Sequence, residues 1–248
     1  MNVAQDFKEN NLIRAGFPDS GVSTNNRIIE RHVAVNGAYW RSYDFRNSEG
    51  DNNISLHPLT FQAAGGEIIF NLPNGLQAYL LADAQGKRLD GAADTHIVHD
   101  DIGGINPEVT NGRSCMGCHF KGMLNKADAV RTGVINVPSF PDYEKVLAVY
   151  RGQTELDAFF KKDDARFRNA ILATGGEITK AEPVNELSKK YHEKVSLQLA
   201  AAELGLELSA FRLKIHDNPT LGHLGLNSCC SRAAFTHETR GKESFRMW

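Results

Sequence analysis

Glu67-Ile-Ile-Phe-Asn-Leu-Pro-Asn-Gly-Leu-Gln-Ala-Tyr-Leu-Leu-Ala82 reads as a β-hairpin. Residues 67–72 and 76–82 are short apolar runs bounded by turn signals, the mark of paired strands. Pro73-Asn74-Gly75 joins them. Proline presets φ there, and glycine is free to take φ > 0. Working outward, Asp83-Ala-Gln-Gly86 is a second turn and Thr95-His-Ile-Val-His99 a further strand. Upstream, Arg31-His-Val-Ala-Val35 and Ala38-Tyr-Trp-Arg-Ser-Tyr43 add strands. Their aromatics Tyr39, Trp40 and Tyr43, with Phe45, are core candidates. Together these segments predict an antiparallel meander.

Beyond residue 110 the pattern turns helical. Residues 143–150 form a short candidate. Thr154 caps a helix to Lys162, with Leu156, Phe159 and Phe160 on one face. Asp164 caps the next, to Leu172, ended by Gly175-Gly176. Ser196 precedes Leu197, Ala200, Ala201 and Leu204, spaced i, i+3, i+4, i+7, with Gly205 as the stop. Residues 209–215 are another candidate. The fold class expected is α+β: a β-rich N-terminal part over residues 1–104, then a helical part over 105–248. The change falls near Gly103-Gly104 and Pro107.

A chain of 248 residues allows one large domain or two small ones. Its 41% hydrophobic and 23% charged content is ordinary for a globular protein. A formal net charge of −2 argues against a nucleic-acid or anionic-membrane surface built on bulk charge. No apolar run reaches the roughly 18 residues of a membrane span. The first ten residues carry no apolar stretch like that of a secretory signal.

Cys115-Met116-Gly117-Cys118-His119 carries the chemistry. C-x-x-C-H is the attachment pattern of a c-type haem. Cys115 and Cys118 are placed to form thioethers with the haem vinyl groups, and His119 to bind the iron from one face. The expected cofactor is one covalent haem c. Two other readings stay open. A C-x-x-C pair with histidine is half of a zinc site, although Cys229 and Cys230, being adjacent, make a poor second pair. A thiol–disulfide pair usually opens a helix after a strand, whereas residues 106–114 read as loop. Covalent haem attachment in bacteria takes place outside the cytoplasmic membrane, so the haem reading implies a periplasmic or otherwise exported protein.

The proximal imidazole needs a hydrogen-bond acceptor for its second nitrogen, and the backbone of residues 107–112 is the expected source. For the sixth iron ligand, Met116 lies between the anchors. Met123, on a helix, would share the face of His119 and stay on its side of the porphyrin. Histidines are better stocked: His32, His57, His96, His99, His192, His216 and His223. On a strand His96 and His99 point opposite ways. An open sixth position is the other possibility. Arg113, Lys121 and Lys126 form a basic edge beside the motif. Asp90, Asp94, Asp100 and Asp101 form an acidic approach. Cys229 and Cys230 read as plain thiols.

Several stretches resemble one family. They are Gly21-Val-Ser-Thr-Asn-Asn-Arg-Ile-Ile-Glu-Arg-His32, Gly37-Ala-Tyr-Trp-Arg-Ser-Tyr-Asp-Phe45, Gly65 to Tyr79, Asn111 to His119 and Leu199 to Leu206. The chain is similar, over roughly residues 20–206, to bacterial cytochrome c domain-containing proteins with a single haem motif behind a β-rich segment. The likeness implies haem binding and redox chemistry without a settled substrate. It also makes His32 the distal-ligand candidate, because that residue falls within a matching block. The expected function is that of a monohaem c-type cytochrome-like protein transferring single electrons to a redox partner protein. The alternatives are a haem-based sensor or a small, peroxidase-like haem enzyme with an open distal side, and a structural zinc module.

Overall fold

The computed structural model describes residues 12–92, 97–100, 108–178, 182–220 and 235–236. The architecture is α+β. Strands β1 (Ile13–Phe17), β2 (Arg27–Ala34), β3 (Gly37–Asp44), β4 (Gly65–Asn71), β5 (Gln77–Asp83) and β6 (Arg88–Leu89) form a six-stranded antiparallel sheet in sequence order. The 67–82 hairpin is β4–β5. Its turn closes by Gly75 N donating to Leu72 O at 2.9 Å, with Gly75 at φ +86°. Strand β1 has no alternating signature because all its residues are buried. The strand expected at 95–99 is not formed over 97–99. There, His99 N donates to Val22 O, a loop-to-loop bond outside any ladder. Residues 95 and 96 lie outside the described residues. β7 (Gly91–Ala92) pairs with β8 (Val109–Thr110), just before the C-x-x-C-H segment.

Period-two alternation divides the sheet into two faces. Ile13, Ala15 and Phe17 share one face with Ile29, Arg31 and Trp40, and this face meets the long helix Gln153–Ala173 through Leu156, Phe159 and Phe160. Trp40 stacks on Phe160 with ring centroids 4.6 Å apart. Arg31 donates to both carboxylate oxygens of Asp163, at 2.8 and 3.1 Å, and Trp40 Nε1 donates to the same carboxylate at 2.8 Å. The opposite face of β1 and β2 meets Val130, Val134, Val146, Val149 and Tyr150. Gly16 permits that approach, since a Cβ there would stand 2.6 Å from Val130 Cγ2.

Among the described residues four helices accompany the sheet, α1 (Arg113–His119), α2 (Val130–Val134), α3 (Tyr143–Val149) and α4 (Gln153–Ala173), and a fifth, α5 (Pro183–His192), follows them in the chain across the boundary between the two compact units. Helix α4 is continuous where the sequence suggested two helices meeting at Asp164. Asp164 caps nothing. Its carboxylate accepts from Met123 N at 2.7 Å, while Asp163 turns inward to Arg31. The change from strand to helix falls between β8 and α1. Compactness divides the chain elsewhere, into Met1–Asn185 and Glu186–Trp248. The second unit contains β9 (Lys194–Val195) paired with β10 (Phe235–Thr236), α6 (Leu197–Glu203) and α7 (Leu208–His216). Ser196 Oγ caps α6 by accepting from Leu199 N, and Gly205 ends it at φ +63°. Its core is Val195, Ala200, Ala201, Phe211 and Ile215. No helix of the described residues is long and apolar enough to cross a membrane.

Glu30 makes the first unit sensitive to acid. Its side chain is 7% exposed, pairs with Arg14 at 2.5 Å and contacts His32 Nε2. Burial raises its pKa, but the His32 contact and the Arg14 charge outweigh that and lower it from 4.5 to about 2. A depressed native pKa stabilises the fold above the unfolded value and loses that stabilisation as pH falls toward 2. The shift corresponds to roughly 3 kcal/mol. Glu30→Gln is expected to flatten the loss of unfolding free energy between pH 5 and pH 2 in urea titrations. An unchanged slope contradicts this assignment.

Candidate functional site

The C-x-x-C-H segment is helix α1, held at both ends. At its start Gly112 takes φ +77°, turning the chain out of β8. Asn111 Oδ1 accepts from Leu81 N on β5, and Asn111 N donates to Asp90 O. Ser114 Oγ accepts from Thr110 N at 2.9 Å and donates to Asp100 Oδ2 at 2.5 Å. At its end the helix stops at His119. Gly122, at φ +109°, turns the chain so that its N–H donates to His119 O and its carbonyl accepts from His119 Nδ1 at 3.2 Å. The acceptor expected from residues 107–112 is thus supplied from the other side of the motif. A chain that ends its helix at the histidine and turns left-handed brings the following carbonyls back to the ring. Met123 N is tied to Asp164 on α4.

Cys115 and Cys118 are not joined by a disulfide, and with His119 they line one cavity. Cys115 is 3% and His119 8% exposed. The cavity measures ≈100 Å³, walled by Phe17, Ile29, Trp40, Ile69, Leu81 and Met123, with Arg27, Asp44 and Lys126 among its polar lining. Arg27 Nε donates to Asp44 at 2.5 Å.

Glu67 is the residue sequence reasoning missed. On β4 it shares the face of Ile69 and stands opposite Leu81 of β5, both cavity-lining. Its N–H donates to Ser42 Oγ at 2.8 Å. Its Oε2 lies 3.6 Å from His119 Nε2, and its Oε1 is buried with no hydrogen-bond partner among the described residues. Burial raises the carboxyl pKa, but the His119 imidazole, the Cys115 thiol and the Arg27 charge bring it down to about 2. Burial, then the Glu67 charge, push the Cys115 thiol well above its usual range, and the same two causes raise Tyr79. The Tyr79 ring stands 6.2 Å from that of His119. The signal in the sequence was a carboxylate in phase with apolar residues on a strand.

The other candidates separate. His32 lies on the opposite sheet face from Arg27 and Ile29. It stacks on Tyr39 at 4.4 Å, contacts Glu30, and lines a different groove with Tyr39, Ile68 and Phe70. His99 and Met123 do line the Cys115 cavity. The helical placement assumed for Met123 is not what forms, because α1 ends at His119 and Met123 follows a left-handed turn. His57 closes a turn onto Asn53, and His192 and His216 belong to the second unit. Asp100 is buried against Ser114, and Asp90 is exposed beside Arg88. Arg113 donates to Thr110, Lys121 lies over Phe120, and Lys126 donates to Asp19 O. His96, His223, Asp94, Asp101, Cys229 and Cys230 lie outside the described residues. Among the described residues no set of three or more His, Cys, Asp or Glu side chains is arranged to hold a metal ion.

The side chains nevertheless suit a haem c. Two thiols on one helical turn and an imidazole open onto one largely apolar cavity. The imidazole's Nδ1 is occupied by a carbonyl, which leaves Nε2 as the donor to a metal. No protein-family model, curated protein or solved structure matches this chain.

Proposed function

We propose that the chain binds one haem c through Cys115, Cys118 and His119 and transfers single electrons to a partner protein. The observation that carries this is the His119 ring, oriented by the Gly122 carbonyl at 3.2 Å with Nε2 turned away from it, beside two thiols on the same cavity wall. When bound, the haem supplies an iron that changes oxidation state by one electron. The rest is the work of this chain's residues. Cys115 and Cys118 hold the group. Gly122 fixes the imidazole tautomer. Phe17, Trp40, Ile69 and Leu81 keep water from it, and Lys126 offers a cation to an acidic side arm. The cavity volume of ≈100 Å³ is below the ~300–1,000 Å³ that buries a whole ligand. A flat group held by Cys115, Cys118 and His119 would therefore keep an edge at the mouth for electron entry and exit. On this reading the protein works in an exported compartment.

Expression in a host with haem-attachment machinery tests the proposal. The purified chain is expected to exceed its polypeptide mass by one haem and to show a haem absorption spectrum. The double variant Cys115→Ser, Cys118→Ser is expected to lose the covalent mass. A wild-type chain at bare polypeptide mass would overturn it.

A further inference from the structure

Glu67 stands where a metal on His119 has to enter. His119 Nδ1 is committed to Gly122 O, and what Nε2 meets is Glu67 Oε2 at 3.6 Å. The Glu67 side chain is 14% exposed, and its second oxygen has no donor among the described residues. A buried carboxylate in that state costs free energy unless a cation or donor compensates it.

The haem reading makes the shortage worse. Thioether formation adds the Cys115 S–H across a vinyl C=C. Sulfur takes one carbon, the hydrogen goes to the other, and nothing is oxidised or reduced. The thiol that now interacts with Glu67 then has no proton to offer. Nε2, once it binds iron, no longer faces the carboxylate directly. Among the described residues Glu67 then keeps the charge of Arg27, which is already paired with Asp44.

We infer that Glu67 is the sixth ligand, its carboxylate oxygen coordinating the iron that His119 holds. This rests on the haem reading. Metal–donor distances of about 2.0–2.2 Å for imidazole nitrogen and carboxylate oxygen place such donors about 4 Å apart across a metal. The present pair has to part by only a few tenths of an ångström. Met123 is less suited, because it follows the turn whose carbonyl holds Nδ1 and its own N–H is tied to Asp164. An anionic oxygen is a weak-field donor that favours ferric over ferrous iron and exchanges with added ligands.

The test compares haem-loaded wild type with Glu67→Gln, Glu67→Ala, His99→Ala and Met123→Leu. Covalent haem mass and circular-dichroism melting are measured for each, which separates loss of a ligand from loss of the fold. Wild-type ferric protein is expected to be high-spin by electron paramagnetic resonance. Both Glu67 variants are expected to gain about tenfold or more in affinity for added imidazole, because an internal competitor has gone. Their reduction potential is expected to rise. The His99 and Met123 variants are expected to match wild type in all three readouts. A low-spin wild type that becomes high-spin in His99→Ala or Met123→Leu overturns the inference and leaves the haem reading standing. Imidazole affinity unchanged in the Glu67 variants overturns it too. Absence of covalent haem from the wild type overturns the haem reading itself.

Discussion

Asp163→Ala is expected to destabilise the first unit by about 3–5 kcal/mol, the cost of removing one partner from a buried ion pair. Arg31 would be left charged with its side chain 2% exposed, and the Trp40 indole N–H would lose its acceptor. The same carboxylate is what fastens α4 to the sheet face that carries the cavity. Asp163→Asn keeps an acceptor for Trp40 and is expected to lose less. The double variant Arg31→Met, Asp163→Leu replaces the pair by apolar volume and is expected to recover most of the loss. Urea denaturation of the wild type, Arg31→Met alone, Asp163→Leu alone and the double variant decides the matter. If the two single losses simply add in the double variant, the pair is not coupled and the assignment fails.

Gly66→Ala is the second large effect. A Cβ at Gly66 would lie 1.8 Å from Ser42 O and 2.7 Å from the Ser42 carbonyl carbon. Both are backbone atoms of β3, so relief requires moving one central strand from its neighbour. The expected cost is about 3 kcal/mol or more, at the upper end for a single added methyl. The effect reaches the site, because Ser42 also positions Glu67 through its hydroxyl. Gly152→Ala is the control. That residue has φ −64° and nothing within 4 Å of an added Cβ, so stability is expected to stay within about 0.5 kcal/mol or to rise slightly. Equal melting temperatures for Gly66→Ala and wild type would show that β3 and β4 do not approach as described.

How much of this was legible in the sequence depends on how local each signal is. The 67–82 hairpin could be read because its two apolar runs and the Pro-Asn-Gly turn are contained in a few neighbouring residues. Helix α4 reads as two helices in the sequence because Asp164 has the residue type of an N-cap. Asp163 is in fact buried, and its reason for being there, Arg31, lies on a distant strand. The same division holds at the site. Cys115, Cys118 and His119 announce themselves by spacing. The Gly122 carbonyl depends on where a seven-residue helix stops. Glu67 comes to His119 only through the packing of β4 beneath α1, a pairing that no periodicity contains. His32 shows the reverse case. A matching sequence block singled it out, and strand parity turned it to the far face of the sheet.

The depth of Cys115 bears on the order of events in the life of the chain. With 3% of its surface reachable, its sulfur is closed to any large reagent once the hairpin and α1 have come together, whereas Cys118 keeps partial access. On the proposed haem reading, the thioether at the first of these sulfurs is expected to form on a nascent or still-open polypeptide, with folding closing over it afterwards.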